Sequence, residues 1–240
     1  MIRLILDIVL LVIVALSTWT GYRKGLIGGI AGILAVVIAL FGGSLLSSAY
    51  SHEVVPVLEP FVDGYIDSQN TRDEILEKLN NGYKTDLSLE DFLARDSSLR
   101  YNYAEECMKT VGIYQDRAEE MARKAVDYAD RNGTNMTDAV VTVLCDTASF
   151  LGGLTVAFLL ILILLVAIGN IGNLSFRLPS LELVDEIGGA VLGFLKGFLY
   201  CVLLCWLLSF LGLIIGRDTL GSSVLAQFFL HFKFLTGGLL

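Results

Sequence analysis

The chain has 240 residues, of which 55% are hydrophobic, and its mean hydropathy is +0.68. This composition is too apolar for one soluble domain and is typical of a membrane protein. The net charge is −8, and 19 of the 25 acidic residues lie between positions 51 and 140, with only 10 of the 17 basic residues. The sequence therefore predicts an acidic module between apolar blocks, and without a large basic patch it predicts no nucleic-acid partner.

The first apolar run covers residues 4–20, about the shortest length that spans a bilayer. Asp7 interrupts its start, and Trp19, Arg23 and Lys24 follow as an aromatic anchor and a basic stop. Because a signal peptide has a different arrangement of flanks, these features favour a retained first span.

The second apolar run covers residues 26–49 and is long enough to span. Gly21, Gly25 and Gly29 stand four residues apart, so on a helix they share one face. In lipid such a face lets a second backbone approach closely. Since only a few residues separate the two runs, we expect two antiparallel neighbouring helices.

The acidic module is predicted over residues 51–136, because Pro56 and Pro60 indicate that the preceding helix ends there. Capping patterns, acid-first ion-pair spacing and an Asn-Gly stop predict short helices inside it. The predicted segments are residues 71–79 with Thr71 as the cap, a helix starting at Ser88 and a single helix over residues 101–131. Thr137 is predicted to cap the helix that follows.

The third span is predicted over residues 148–169, preceded by a lead-in helix at 137–147. A turn at 170–180, a short amphipathic segment at 181–186 and a fourth span over 187–215 follow. The tail over residues 222–235 is compatible with an interfacial helix and equally with a buried tail. The predicted divisions are residues 1–50 for the first two spans, 51–136 for the insert, 137–216 for the last two spans and 217–240 for the tail.

The fourth span opens with a second glycine series, Gly189, Gly193 and Gly197, which predicts close helix packing; Gly212 and Gly216 repeat the spacing. The fold class that follows is all-α: a four-span transmembrane bundle with a helical acidic insert between the second and third spans.

Orientation follows from basic residues near the ends of spans. Arg23 and Lys24 lie between the first two spans, Arg177 lies between the last two, and Lys196 is near the same side. This arrangement predicts short loops inside the cell and the acidic module outside, although Arg3 opposes it.

Few residues suggest chemistry. Asp7 and Asp146 are acids near or within spans and are candidates for function, or for simple placement among lipid headgroups. Arg23, Lys24 and Lys196 either bind anionic lipid heads or only anchor the topology. Because the chain has two histidines and no Cys-rich motif, we predict no metal and no cofactor, while pairing of Cys107 with Cys145 stays open.

Two motifs together resemble a known family. After Asp7, the sequence GYRKGLI at residues 21–27 precedes a glycine-rich span, and DEIGGAVLGFLKG occupies residues 185–197. This arrangement resembles the colicin V production protein (CvpA) family. Glu186 stands where members commonly have a basic residue, and the insert is longer than in compact members. The resemblance implies a four-span protein of a bacterial cytoplasmic (inner) membrane, linked to toxin production or export.

The leading hypothesis is a non-enzymatic membrane factor that supports colicin V-type toxin production, secretion or envelope homeostasis. Its expected partners are the lipid bilayer and either further copies of the chain or other membrane and envelope proteins. The alternative is a small channel or transporter that oligomerises through its glycine faces. A third class is a sensor whose acidic insert binds a cation or a peptide.

Overall fold

The computed structural model describes residues 2–66, 69–80, 88–93, 95–171, 182–210 and 217–232. Every regular element among them is an α-helix, as predicted. The helices are α1 (Ile2–Ile66), α2 (Gln69–Leu79), α3 (Leu89–Leu93), α4 (Ser97–Thr110), α5 (Gln115–Asn132), α6 (Met136–Ile171), α7 (Glu182–Leu208), α8 (Arg217–Ser222) and α9 (Val224–Leu230). Most of the predicted turn at 170–180, with Arg177, lies outside the described residues, as do Gly212 and Gly216.

Three of the helices are long and apolar enough to cross a membrane. They cover Arg3–Ile66, Met136–Gly169 and Leu183–Leu208. Large apolar side chains such as Phe41, Leu160 and Ile163 are about two-thirds exposed along them. A surface of this kind is suited to lipid acyl chains rather than to water.

The chain divides into two compact units. One comprises Met1–Ala49, Leu151–Leu208 and Asp218–Leu240, and is called the apolar unit below. The other comprises Tyr50–Phe150 and Ser209–Arg217, and is called the acidic unit.

The helix α1 is interrupted in its backbone at Gly25, where φ is 72° and ψ is −176°. Before this residue, the helix packs against α7 through glycine. A Cβ placed on Gly21 would lie 2.6 Å from the Cα of Gly193, and one on Gly197 would lie 3.0 Å from the Cα of Val14. The residue numbers of the contacts increase along α7 as they decrease along α1. This first segment of α1 is therefore antiparallel to α7.

After Gly25 the direction is reversed. A Cβ on Gly29 would lie 2.7 Å from the Cβ of Leu192, and one on Gly32 would lie 3.3 Å from the Cδ of Lys196. Here the residue numbers of the contacts increase along both helices, so the second segment of α1 is parallel to α7. The two segments of α1 are therefore antiparallel to each other, and a single residue separates them.

The helix α6 joins the apolar unit through two further glycines. A Cβ on Gly43 would lie 3.1 Å from the backbone nitrogen of Phe158, and one on Gly153 would lie 2.7 Å from the Oγ of Ser47. Since the partner positions run in opposite directions, α6 is antiparallel to the second segment of α1. Four helical segments thus make up this unit together with the short C-terminal helices.

The predicted helix break at the prolines is wrong, because α1 continues through Pro56 and Pro60 to Ile66. Each proline removes one N–H from the helix, which usually costs about 3 kcal/mol. The two prolines stand four residues apart on one exposed face, so the carbonyl groups that they leave without a partner are open to solvent.

The acidic unit is built around one cluster of buried side chains from the end of α1 to α6. Ile75, Tyr103, Met108 and Val140 are among the members that are almost fully buried. The single helix predicted over residues 101–131 is wrong, because Gly112, with φ of 94°, ends α4 and separates it from α5.

Two predicted caps in this unit are also wrong. The helix α2 begins at Gln69 rather than at Thr71. The start of α6 is capped by Asn135, whose Oδ1 accepts a hydrogen bond from the Asp138 N–H at 2.7 Å. The predicted cap, Thr137, contacts the hydroxyl of Tyr103 instead, at 3.3 Å.

The predicted C-terminal end of the fourth span is wrong. The helix α7 starts at Glu182, so it includes most of the segment expected to be separate, and it ends at Leu208 rather than at residue 215. At that end the carbonyl of Ser209 accepts a hydrogen bond from the backbone N–H of Tyr114 at 2.9 Å. This carbonyl belongs to the first residue after the end of α7.

The tail is divided at Ser223 into α8 and α9. The helix predicted over residues 222–235 is therefore shorter, from Val224 to Leu230, and residues 233–235 lie outside the described residues. Ser223 caps α9 by accepting a hydrogen bond from the Ala226 N–H at 3.0 Å. Phe229 is buried against the apolar unit, whereas Val224 is 76% exposed.

Candidate functional site

The clearest concentration of polar contacts in the apolar unit is the junction where Asp185 on α7 meets the reversal in α1. The Asp185 side chain is 3% exposed, and its Oδ1 accepts a hydrogen bond from the Leu26 N–H at 2.8 Å. The first N–H groups of a helix have no partner within the helix, and a negative charge is favourable there. Asp185 therefore caps the second segment of α1 from another helix.

Gly25 makes this junction possible in two ways. Its φ of 72° with ψ of −176° is a combination that is essentially restricted to glycine. A Cβ at this position would also lie 2.7 Å from the carboxyl carbon of Asp185. The residue thus permits both the chain reversal and the close approach of the carboxylate.

The two predicted glycine series face each other beside the junction. A Cβ on Gly189 would lie 2.8 Å from the Cα of Gly25, and one on Gly193 would lie 2.9 Å from the Cα of Gly21. Here the neighbours are backbone atoms, which cannot move aside as a flexible side chain can. Gly197 continues the contact, since its Cβ would lie 2.8 Å from the Cβ of Ser17.

At the exposed edge of the junction, the hydroxyl of Tyr22 donates a hydrogen bond to Glu186 Oε2 at 2.9 Å. Glu186 therefore links α7 to the first segment of α1, one residue after the buried carboxylate. Arg23 is exposed beside it.

The structure brings together Lys24 and Lys196 along one glycine face of α1. A Cβ on Gly28 would lie 2.7 Å from the Cβ of Lys24, and one on Gly32 would lie 3.5 Å from the Nζ of Lys196. Gly28 and Gly32 are one helical turn apart. Among the described residues, neither ammonium group lies within ion-pair distance of a carboxylate.

Asp7 lies apart from the junction and holds the C-terminal helix. Its Oδ1 accepts hydrogen bonds from the hydroxyl of Ser223 at 2.6 Å and from the Leu225 N–H at 3.2 Å. The carboxylate therefore supports the start of α9, with Ser223 acting as the cap between them.

Asp146 belongs to the acidic unit, where its Oδ1 lies 3.8 Å from the Nδ1 of His52. The two side chains are 44% and 80% exposed, respectively. At such exposure an ion pair contributes little to stability, about 0–1 kcal/mol.

The four cysteines are free and buried: Cys107, Cys145, Cys201 and Cys205. Burial raises the pKa of the Cys107 thiol to about 12, so very little reactive thiolate forms near neutral pH. In the described ranges, no group of three or more His, Cys, Asp or Glu side chains could hold a metal ion.

Asp185 lies within the second family motif, but the sequence pattern predicted neither a site role for this residue nor its cap on Leu26. The available signal was a glycine between two apolar runs together with an acid just before the opposing glycine series. That pattern indicates a helix start needing an acceptor, but it does not specify which helix supplies one.

Comparison with known proteins gives one family. The family model described as colicin V production protein matches residues 6–74 and 125–233. These two segments include the reversal at Gly25 and the whole of α7. No curated protein and no solved structure matches the chain. Because the matched segments cover most of its length, the chain belongs to the colicin V production protein family.

Proposed function

We propose that this protein is a non-enzymatic factor of a bacterial cytoplasmic membrane that supports the production or secretion of a colicin V-type toxin. The same activity would serve envelope homeostasis in a cell without such a toxin. Membership of the colicin V production protein family supports the setting.

We further propose four membrane spans: both segments of α1 that flank Gly25, the latter part of α6, and α7. The reversed contact directions along α7 support this count. With Arg23 and Lys24 at the reversal, the excess of basic residues supports an inside location for that turn. The acidic unit would then face the outside.

The observation that carries the proposal is the junction of Gly25, Leu26 and Asp185. It joins the two motifs that resemble the family, which are separated by more than half the chain. Its buried carboxylate accepts a hydrogen bond from an N–H group at the start of a helix, rather than lining an open cavity. We therefore assign these motifs to maintaining an architecture that partners recognise, and not to catalysis.

The functional test uses a bacterial host that secretes a colicin V-type toxin and lacks its own family member. Toxin activity in the medium is measured with the wild-type chain, with Asp185→Ala and with the control Asp127→Ala. Asp127 is an exposed acid in the acidic unit. We expect release with wild type and with the control, and a loss of at least tenfold with Asp185→Ala.

Equal release with and without the wild-type chain would contradict the proposal. Substrate turnover by the purified protein that Gly193→Leu abolishes would contradict its non-enzymatic part. Membrane levels of each variant, measured by immunoblot, distinguish lost function from lost protein.

The channel alternative relies on Asp7 and Asp146 as intramembrane charges. The contacts of Asp7 with Ser223 and Leu225 favour a structural role for this acid. Ion or solute flux in proteoliposomes that disappears in Asp7→Asn would support the alternative, provided that the amides of α9 stay protected from hydrogen–deuterium exchange in that variant.

A further inference from the structure

An apolar cavity of about 430 Å³ opens on the side of the apolar unit. Its lining includes Leu40 from α1, Leu154 and Phe158 from α6, and Tyr200 and Leu207 from α7. The volume is within the range of small-molecule pockets, about 300–1,000 Å³. All of the contributing segments are apolar helices of membrane-crossing length, so the cavity is open to lipid acyl chains.

One end of this cavity is cationic. The ammonium of Lys196 lies 6.0 Å from the centroid of the Tyr200 ring, and Tyr200 itself lines the cavity. Lys24 lies against Gly28, one turn from the Gly32 position that faces Lys196. Lys196 therefore lies at one end of the apolar cavity, with Lys24 one helical turn further along α1, and neither has a carboxylate partner among the described residues.

The two features form one continuous surface. Lys196, Tyr200, Leu203 and Leu207 follow each other at three- and four-residue intervals, so they share one face of α7. The eleven steps from Lys196 to Leu207 rise about 16 Å along the helix.

We propose that this surface binds one anionic phospholipid of the surrounding bilayer. Lys24 and Lys196 receive its phosphate headgroup, and one acyl chain lies along Tyr200, Leu203 and Leu207 in the cavity. The charges select the headgroup, and the apolar lining of the cavity accommodates the chain. The single negative charge of the bound phosphate lies between two like charges and reduces the repulsion between them.

The test is native mass spectrometry of the full-length protein in detergent with equal amounts of phosphatidylglycerol and phosphatidylcholine that carry the same acyl chains. Near a membrane surface each lysine contributes about a fivefold preference for anionic lipid, so two contribute about 30-fold. We expect the wild type and the double variant Lys24→Arg, Lys196→Arg to bind phosphatidylglycerol preferentially. The double variant Lys24→Gln, Lys196→Gln should lose that preference.

Two further variants distinguish the effect of the two lysine charges from that of the protein's overall charge and from that of the cavity. Arg3→Gln removes one positive charge at the other end of the first segment of α1 and should retain the preference. Leu159→Trp fills the cavity from a side chain that is half exposed, and should reduce binding of both lipids.

Equal binding of the two lipids by the wild type would overturn the proposal, as would a preference that the double glutamine variant retains. Displacement of phosphatidylglycerol by inorganic phosphate alone would identify a free-phosphate site instead. A stable lipid-free dimer would show that a second copy of the chain covers the cavity. The arginine variant distinguishes loss of charge from loss of fold.

Discussion

At the scale of single residues, glycine has two distinct roles in this chain. Gly25 adopts a backbone conformation that other residues rarely reach, whereas Gly21, Gly189 and Gly193 are helical and bring two backbones into contact. The first role is conformational and the second is steric. Substitutions can separate the two roles because the chain contains a matched control for each.

The conformational role predicts a large effect for Gly25→Ala. Strained backbone of this kind costs about 1–3 kcal/mol, and the new Cβ would also displace the carboxylate of Asp185 from Leu26. The control is Gly133→Ala, where the backbone is left-handed helical (φ 65°, ψ 27°), a conformation that alanine reaches at lower cost, and nothing lies within 4 Å of the added Cβ. We expect the alanine at position 133 to cost about 1–2 kcal/mol from backbone strain alone.

Thermal unfolding in detergent micelles measures both substitutions. A melting temperature that falls further for Gly25→Ala than for Gly133→Ala is the expected result. Equal decreases would show that neither the glycine-only backbone at Gly25 nor the close approach of Asp185 adds to the cost of an ordinary left-handed residue.

The steric role predicts that Gly193→Ala destabilises the apolar unit by about 1–3 kcal/mol, as expected for overpacking. The added methyl group would lie 2.9 Å from the Cα of Gly21, so α1 and α7 have to separate. Gly152→Ala is the control, because nothing lies within 4 Å of that position on α6. Its melting temperature should be unchanged or slightly raised, and a decrease equal to that of Gly193→Ala would contradict the packing argument.

At the scale of elements, Asp7 ties the first segment of α1 to α9. The carboxylate accepts hydrogen bonds from Ser223 and Leu225, and Phe229 buries its ring in the same cluster as Leu10 and Cys201. A seven-residue helix has little stability of its own. The position of α9 therefore depends on these contacts.

We predict that Asp7→Ala increases hydrogen–deuterium exchange across residues 224–232. Removing the acceptor leaves the Ser223 hydroxyl and the Leu225 N–H without their partner, at a cost of about 1–3 kcal/mol. Mass spectrometry of the exchanged protein provides the measurement. Ser48→Ala is the control, since its hydroxyl bonds only to the Ser44 carbonyl on an exposed face. Unchanged exchange in Asp7→Ala would show that packing alone holds α9.

The sequence was most informative where one physical effect dominates an element. The apolar runs predicted membrane-length helices, and glycine spacing indicated which faces approach closely. It was least informative at Pro56 and Pro60, where local propensity argues for a break. The long helix continues there, so tertiary context outweighs the loss of two backbone hydrogen bonds.

Caps were a second area of failure, for a related reason. Thr71 and Thr137 fit local capping patterns, but Gln69 begins α2 and Asn135 caps α6. The cap on Leu26 comes from Asp185, 159 positions away. Short-range patterns do not contain such a partner, so the centre of the candidate site could not be derived from spacing alone.

At the scale of the whole molecule, the proposed four-span topology depends on the reversal at Gly25. If both segments of α1 cross the membrane, Arg23 and the acidic unit lie on opposite sides. Positive residues near Gly25 support our proposal that this turn is inside and the acidic unit outside. The proposed role in secretion and the lipid site at Lys196 both assume this arrangement.

The most direct test is labelling of introduced cysteines in intact cells with a membrane-impermeant thiol reagent. The four native cysteines are buried, so the background is low. Arg23→Cys reports on the turn and Asp127→Cys reports on the acidic unit, and both positions are exposed. We expect the reagent to label Asp127→Cys in intact cells and Arg23→Cys only after permeabilisation. Labelling of both from the same side would contradict the four-span arrangement, and the reverse pattern would contradict the outward orientation.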